Sequence, residues 1–280
     1  MIRKIAIYGK GGIGKSTIAS NLSMSLSVMG YRVMQFGCDP KSDSTSTIRG
    51  GVRLPTVLDF VRDNPQGDIH EVIYEGSNGV LCVEAGGPTP GVGCAGRGII
   101  SAIEQFNARN IFDELGVDYV IFDVLGDVVC GGFAMPIRNH VADIVYTVTS
   151  SDFMSIYAAN NLMRGIQRYA SSSGALFGGL IANSVNADYQ RQIIDEYADM
   201  SSTNVLCHIP RSLAITKAEL CGNTIVDLFP DFPESRIFRL LAENIVEKKN
   251  GVIPRSCSDE ELYAFSKKWS MILLNTTLDE

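Results

Sequence analysis

The chain has 280 residues, 45% of them hydrophobic and 20% charged, with a net charge of −7 and a pI near 5.1. These values describe an ordinary soluble globular protein, and the acidic balance argues against nonspecific nucleic-acid binding. There is no run of about 18 apolar residues, and the chain starts straight into a strand, so neither a membrane span nor a signal peptide is expected. The seven cysteines, at 38, 82, 94, 130, 207, 221 and 257, form no secreted-type framework and suit a reducing cytoplasm, with some thiols available to a metal.

Ile5–Tyr8 is a short apolar run that predicts a strand, and Ile18–Met29, rich in Ala, Leu and Met, predicts a helix. Between them stand Gly9, Lys10, Gly11, Gly12, Ile13, Gly14, Lys15 and Ser16, followed by Thr17. Strand, glycine-rich turn and helix is the context a G-x-x-x-x-G-K-[ST] phosphate loop requires. The glycines admit a phosphate to the backbone, and successive N–H groups with the positive helix end hold the anion. Lys15 is expected at the β/γ-phosphates and Ser16 on Mg²⁺. Lys10 is a second lysine in the loop. It reads either as a residue that serves a neighbouring subunit's nucleotide, as in the "deviant" phosphate-loop ATPases this segment resembles, or as extra charge near the phosphates.

Tyr31–Gly37 predicts a second strand, and Asp39 and Asp43 lie just past its end, where open parallel sheets place their ligands. Both are candidates for Mg²⁺ or its waters, against the alternative of plain turn chemistry. Leu54–Arg62 reads as helix, Asn64–Asn78 as a polar connection and Val80–Glu84 as strand. Residues Ala85–Gly98 contain six glycines in fourteen positions, an expensive loop to order. Cys94 stands in it among small neighbours, surroundings that suit an iron–sulfur cluster as well as a buried free thiol.

Ile99–Leu115 predicts a helix, and Tyr119–Asp123 a strand ending in an aspartate placed to hold Mg²⁺. Cys130 follows seven residues later, so Asp123 and Cys130 lie within about 25 Å of each other even when fully extended. One segment is therefore expected to touch the nucleotide at its start, with a cysteine at its end that is a candidate metal ligand. The alternation continues with strands at Ile144–Thr149, Phe177–Asn183 and Val205–Arg211. Helices are expected at Phe153–Ala170, Asp188–Met200, Leu213–Leu220 and Pro233–Lys248. The pattern predicts one α/β domain with a mostly parallel sheet flanked by helices. A helical tail spans about 256–280, with Leu262, Phe265, Trp269 and Ile272 as its apolar stripe, read as a cover for core or for a neighbour rather than as a membrane-surface helix. Histidines 70, 140 and 208 show no metal-ligand spacing and read as solvent-facing or structural.

A [4Fe–4S] cluster generally takes four thiolates, and two glycine-framed cysteines per chain become four across a two-fold axis. Gly9–Ser16, Gly37–Lys41, Gly91–Gly98 and Asp123–Pro136 resemble the nitrogenase iron protein family, from residue 2 to about 255. That family also includes reductase components of chlorophyll and nickel-tetrapyrrole biosynthesis. The resemblance implies a three-layer P-loop NTPase fold and a homodimeric ATPase bridging one [4Fe–4S] cluster. Such an enzyme passes single electrons to a larger catalytic metalloprotein as MgATP is hydrolysed, and takes them from a low-potential ferredoxin or flavodoxin.

Carried over by position, Cys94 and Cys130 are implied as cluster ligands, Lys10 and Lys15 as phosphate lysines and Ser16 as the Mg²⁺ ligand. Asp39 and Asp43 fall in the first switch and Asp123 in the second. Asp127 is implied to orient or deprotonate the attacking water, Asn183, Pro210 and Arg211 to line the adenine, and Arg97 to lie on the face that docks the partner. Thr89 stands where a glutamate is usual. Two rivals share the loop chemistry: a dimerising positioning or partitioning ATPase without redox work, which has no use for Cys94 and Cys130, and a cluster-assembly scaffold, which usually carries a C-x-x-C pair absent here.

Overall fold

Successive residues of the central strands enter opposite apolar layers. In β1 (Arg3–Gly9), Ile5 and Ile7 face one layer and Ala6 and Tyr8 the other; in β5 (Tyr119–Asp123), Tyr119 and Ile121 alternate in the same way with Val120 and Phe122. Strands buried on both faces read as continuous apolar runs, the mark of a parallel sheet covered by helices. The structure is a computed structural model that describes residues 2–39, 41–87, 95–124, 141–173, 175–248 and 250–275, with the side chains of 95–98 and 170–173 outside the description.

The remaining strands are β2 (Val33–Gly37), β3 (Tyr74–Glu75), β4 (Leu81–Glu84), β6 (Ile144–Thr149), β7 (Leu176–Asn183) and β8 (Val205–Ile209). They form one eight-stranded sheet in the order β3-β4-β2-β5-β1-β6-β7-β8. Every neighbouring pair is parallel except β3 with β4. After β1 the chain runs first to one side of it and later to the other. The C-terminal end of β1 is therefore the place where such sheets open a ligand crevice.

The helices are α1 (Lys15–Val28), α2 (Val57–Asp63), α3 (Ala95–Ala108), α4 (Ile111–Glu114), α5 (Phe153–Ser173), α6 (Asp188–Met200), α7 (Leu213–Leu220), α8 (Ile225–Leu228), α9 (Pro233–Glu247) and α10 (Asp259–Leu274). One layer packs Ile18, Leu22, Ile215, Ile225, Phe238 and Leu241 on the sheet, and the other packs Val57, Phe106, Ile156, Leu162, Ile193 and Phe265. The three-layer arrangement is the predicted one. Among the described residues no helix is long and apolar enough to cross a membrane.

Several local expectations need correction. Ile99–Leu115 is not one helix, because Asn110 takes a left-handed conformation (φ 54°) that separates α3 from α4. Asparagine is among the few residues that tolerate this. The helix expected from Leu54 starts after Pro55, where the Thr56 hydroxyl accepts the Asp59 N–H at 3.1 Å and caps α2. The polar connection holds buried Ile69 and Val72 and the short β3. In α10, Leu262, Phe265 and Trp269 are buried as expected, whereas Ile272 is exposed and Leu273 takes its place against the core. Asn160 fixes this tail by accepting the Cys257 N–H at 2.8 Å and donating to its carbonyl at 3.0 Å.

Two measurements probe this packing. Phe106 is fully buried among Phe36 and Phe112, so Phe106→Ala is expected to cost about 3–5 kcal/mol in denaturant unfolding. Tyr146 is fully buried, and its hydroxyl has no hydrogen-bond partner among the described residues. Tyr146→Phe removes that orphaned group and is expected to stabilise the chain by about 1 kcal/mol, read as a higher denaturation midpoint with an unchanged slope.

Candidate functional site

The parallel register sets three residues abreast at the C-terminal ends of neighbouring strands: Glu84 on β4, Gly37 on β2 and Asp123 on β5. Gly9 ends β1 beside them, and a Cβ there would lie 2.6 Å from the Val148 carbonyl oxygen. The loop then reaches Gly14, whose φ of 94° suits glycine and where a Cβ would meet Asn183 Nδ2 at 2.6 Å. Asn183, at the end of β7, donates from Nδ2 to the Ile13 carbonyl at 2.7 Å and ties the loop to the far half of the sheet. Gly14 caps α1 without a side chain, so the first N–H groups of that helix are left to an incoming anion.

Lys15 is buried, and its ammonium donates to the Lys10 carbonyl at 3.2 Å. Asp123 is 3% exposed. Burial pushes its carboxyl group upward, while the Ser16 and Ser44 hydroxyls and the Lys15 charge pull it down. The Ser44 hydroxyl donates to Asp123 at 2.6 Å, so the segment after β2 and the end of β5 are in direct contact. Lys41 N–H donates to Asp39 at 2.9 Å, which closes the turn that presents Asp39 and Asp43.

Two hollows meet at the loop. One of about 310 Å³ is lined by Gly11, Lys15, Ser16, Asp39, Asp43 and Asp123. The other, about 610 Å³, is lined by Ile13, Asn183, Pro210, Arg211 and Asp152 among others, and Gly12, Gly14 and Thr17 border both. Ser16 and the three aspartates are hard oxygen donors beside a phosphate-sized space, a donor set that fits Mg²⁺. The second hollow has the size and mixed lining for a nucleoside. Lys10 lines neither hollow, and its ammonium pairs with Asp152 at 3.6 Å.

Of the predicted nucleotide residues in the described chain, Gly11–Thr17, Asp39, Asp43, Asp123, Asn183, Pro210 and Arg211 line the two hollows, and Lys10 does not. Cys94, Asp127 and Cys130 lie outside the described residues, as do His140 and the side chain of Arg97. Of the other cysteines, 38, 82, 207 and 257 are buried and 221 is exposed. Burial pushes the Cys82 and Cys207 thiols up to about 12. Among the described residues no three His, Cys, Asp or Glu side chains converge into a metal cage of their own, so Asp39, Asp43 and Asp123 line the phosphate hollow in the open manner of a Mg²⁺ site completed by phosphate oxygens and water. His70 sits between Asp68 and Glu114, and His208 bonds Asp195 at 2.8 Å, both structural contacts.

Sequence reasoning missed Glu84. It is fully buried, and its Oε1 accepts the Thr45 N–H at 2.8 Å and the Thr45 hydroxyl at 2.7 Å. Burial, opposed by those two bonds, pushes it up to about 7. The available signal was a carboxylate closing the apolar run Val80–Val83, the same pattern that marked Asp123. Glu219, which accepts from the Thr17 hydroxyl, gave no such signal.

The description "4Fe-4S iron sulfur cluster binding proteins, NifH/frxC family" matches residues 3–272. The "Nitrogenase iron protein 2" of Paenibacillus durus is 54% identical over 273 residues, covering 98% of this chain and 94% of that protein. The "Nitrogenase iron protein" of Methanococcus voltae is 47% identical over 263 residues, covering 93% and 94%. Among solved structures, the MinD cell division protein of Aquifex aeolicus superposes with a TM-score of 0.68 at 18% identity, covering 89% of this chain and 99% of that one. Cobyrinic acid a,c-diamide synthase of Mycobacterium smegmatis, solved with an ATP analog and magnesium, gives 0.66 at 17%, covering 92% and 100%. The likeness to these two structures is one of fold.

Gly14→Ala forces a side chain into a left-handed position, at about 1–2 kcal/mol, and against Asn183; nucleotide affinity is expected to fall at least about tenfold (about 1.4 kcal/mol) by titration calorimetry. A carboxyl group raised on folding contributes stability at low pH that is lost as pH rises toward its folded value. For Glu84 the loss runs from about 4.5 to about 7 and amounts to about 3 kcal/mol. Glu84→Gln should flatten unfolding free energy across that interval, measured by denaturant titration at its two ends.

Proposed function

The chain belongs to the NifH/frxC family of 4Fe-4S iron–sulfur cluster-binding proteins, and on that premise we propose that the paired hollows bind MgATP whose hydrolysis gates electron delivery. The protein is an ATP-hydrolysing oxidoreductase, a reductase component that delivers electrons. The observation that carries the nucleotide reading is the junction at Gly12, Gly14 and Thr17. A phosphate-sized hollow with a buried lysine and three aspartates opens there into a nucleoside-sized one.

In this reading Gly9, Gly11, Gly12, Ile13, Gly14 and Thr17 form the phosphate cradle with Lys15. Ser16, whose hydroxyl bonds Asp123, would be the side-chain ligand of Mg²⁺, and Asp39, Asp43 and Asp123 would hold the ion or its waters. Asp127 orients the attacking water. Asn183 keeps its amide nitrogen on Ile13 and so offers its oxygen to the base, beside Pro210 and Arg211. Lys10 leaves Asp152 to reach the nucleotide of a second copy. Ser44 moves with Asp123 because it is bonded to it, so the γ-phosphate is sensed by both segments together.

Cys94 and Cys130 are the thiolates we assign to the cluster, two from each chain of a homodimer. The reading is supported by the other cysteines: four are buried and the fifth stands without a metal-binding group around it among the described residues. A bound [4Fe–4S] cluster supplies a one-electron couple whose potential follows its exposure and hydrogen bonding. The partner that would take the electron is a larger catalytic metalloprotein docked near Arg97, and a low-potential ferredoxin or flavodoxin in the cytoplasm would be the donor. The chain acts as one ATPase domain, with α10 as its covering tail.

Cys94→Ser is expected to remove iron and colour from anaerobically purified protein while leaving ATP affinity within about twofold (about 0.4 kcal/mol). Full iron content in that variant overturns the ligand assignment, and colourless, iron-free wild-type protein favours a positioning ATPase. Lys15→Ala is expected to lower ATP turnover by about 10²-fold or more, read as phosphate release.

A further inference from the structure

Among the described residues, one buried ionisable side chain near the site has no part in the reading above. Glu84 closes β4 with no solvent exposure, and nothing in nucleotide chemistry calls for a carboxyl group there. Burying it unpaired carries a high cost, and its Oε2 has no hydrogen-bond partner among the described residues. The neighbouring strand is shaped to admit it. A Cβ on Gly37 would stand 1.9 Å from Oε2, so a larger residue at 37 would drive the carboxyl group from its place.

What the group does gain is two hydrogen bonds from a single residue, Thr45, through its backbone N–H and its hydroxyl. The residue before Thr45 is held as firmly. Gln35 Nε2 donates to the Ser44 carbonyl at 2.9 Å, and the Ser20 hydroxyl donates to the same oxygen at 3.1 Å. The Ser44–Thr45 peptide is therefore fixed on its carbonyl side by Gln35 and Ser20 and on its amide side by Glu84. Fixing that plane aims the Ser44 hydroxyl at Asp123 and sets Asp43 at the edge of the phosphate hollow.

We propose that Glu84 is a positioning residue for magnesium-dependent nucleotide binding, holding Thr45 so that Asp43 lines the phosphate hollow and Ser44 meets Asp123 at its edge. The proposal deepens the MgATP reading and rests on it. Glu84 touches neither phosphate nor metal, and its influence passes through Thr45. Its effect is expected at the ion, through Asp43 and the Ser44–Asp123 bond, and not at the backbone N–H groups of the Gly9–Gly14 cradle, which Thr45 does not contact.

The test measures ATP dissociation constants with magnesium and with EDTA, on the cluster-loaded protein and for each variant. Glu84→Ala is expected to reduce magnesium's enhancement of affinity about tenfold while the metal-free constant stays within about twofold (about 1.4 and 0.4 kcal/mol). Glu84→Gln, which keeps an acceptor oxygen for Thr45, should restore the enhancement. Thr45→Val, which removes one of the two bonds and leaves the buried carboxyl group in place, should lose part of it. This variant keeps the test decisive if Glu84→Ala does not fold. An unchanged enhancement in folded Glu84→Ala or in Thr45→Val overturns the proposal, as does an equal loss with and without magnesium. Wild-type protein that binds ATP no better with magnesium overturns the metal reading itself.

Discussion

A carboxyl group almost shut off from water must be compensated, and at Asp123 the compensation organises the site. Two hydroxyls and one ammonium answer it: Ser16 from the start of α1, Ser44 from the segment after β2, and the charge of Lys15. Lys15 and Ser16 come from the phosphate loop and the start of α1, and Ser44 from the segment after β2, so the aspartate gathers these two stretches around the end of one strand. Burial pushes the group toward its neutral form, and the three partners pull it back toward the charged form that a divalent ion requires.

The sheet makes this gathering possible. Because β4, β2 and β5 run parallel in one register, their ends arrive at the same height, and β1 beside them runs two residues further to Gly9. Acids at the ends of β4 and β5 flank a strand that ends in glycine, which leaves space for the Glu84 carboxyl group where a side chain would otherwise stand. The same register brings Asn183 to the loop from the far side of β6. The strands thus set which residues meet, and the loops set which way they face.

The phosphate loop was readable in the sequence because its physics is local: a strand, glycines where the backbone must bend sharply, then a lysine and a helix start. Asp123 was readable for a similar reason, as a charge ending an apolar run. Glu84 carried that pattern too, yet its role depends on Gly37 and Thr45, which approach it through strand pairing and a distant loop. Asn110 shows the opposite failure. Apolar spacing across Ile99–Leu115 looked continuous, and a single left-handed residue broke it without disturbing the periodicity. The tail shows how helical phase slips at a terminus, where Leu273 rather than Ile272 reaches the core.

Both margins of the sheet are guarded. At β8, the Asn244 amide occupies the Leu206 carbonyl at 3.1 Å, and at the two-residue β3, Arg49 donates to the Glu75 carbonyl at 2.5 Å and lies over the Tyr74 ring. Unguarded edges invite strand-to-strand accretion between molecules, and here that route meets a side chain at each side. A second copy of this chain that approaches along either margin therefore meets a side chain in place of an open strand carbonyl at Leu206 and at Glu75.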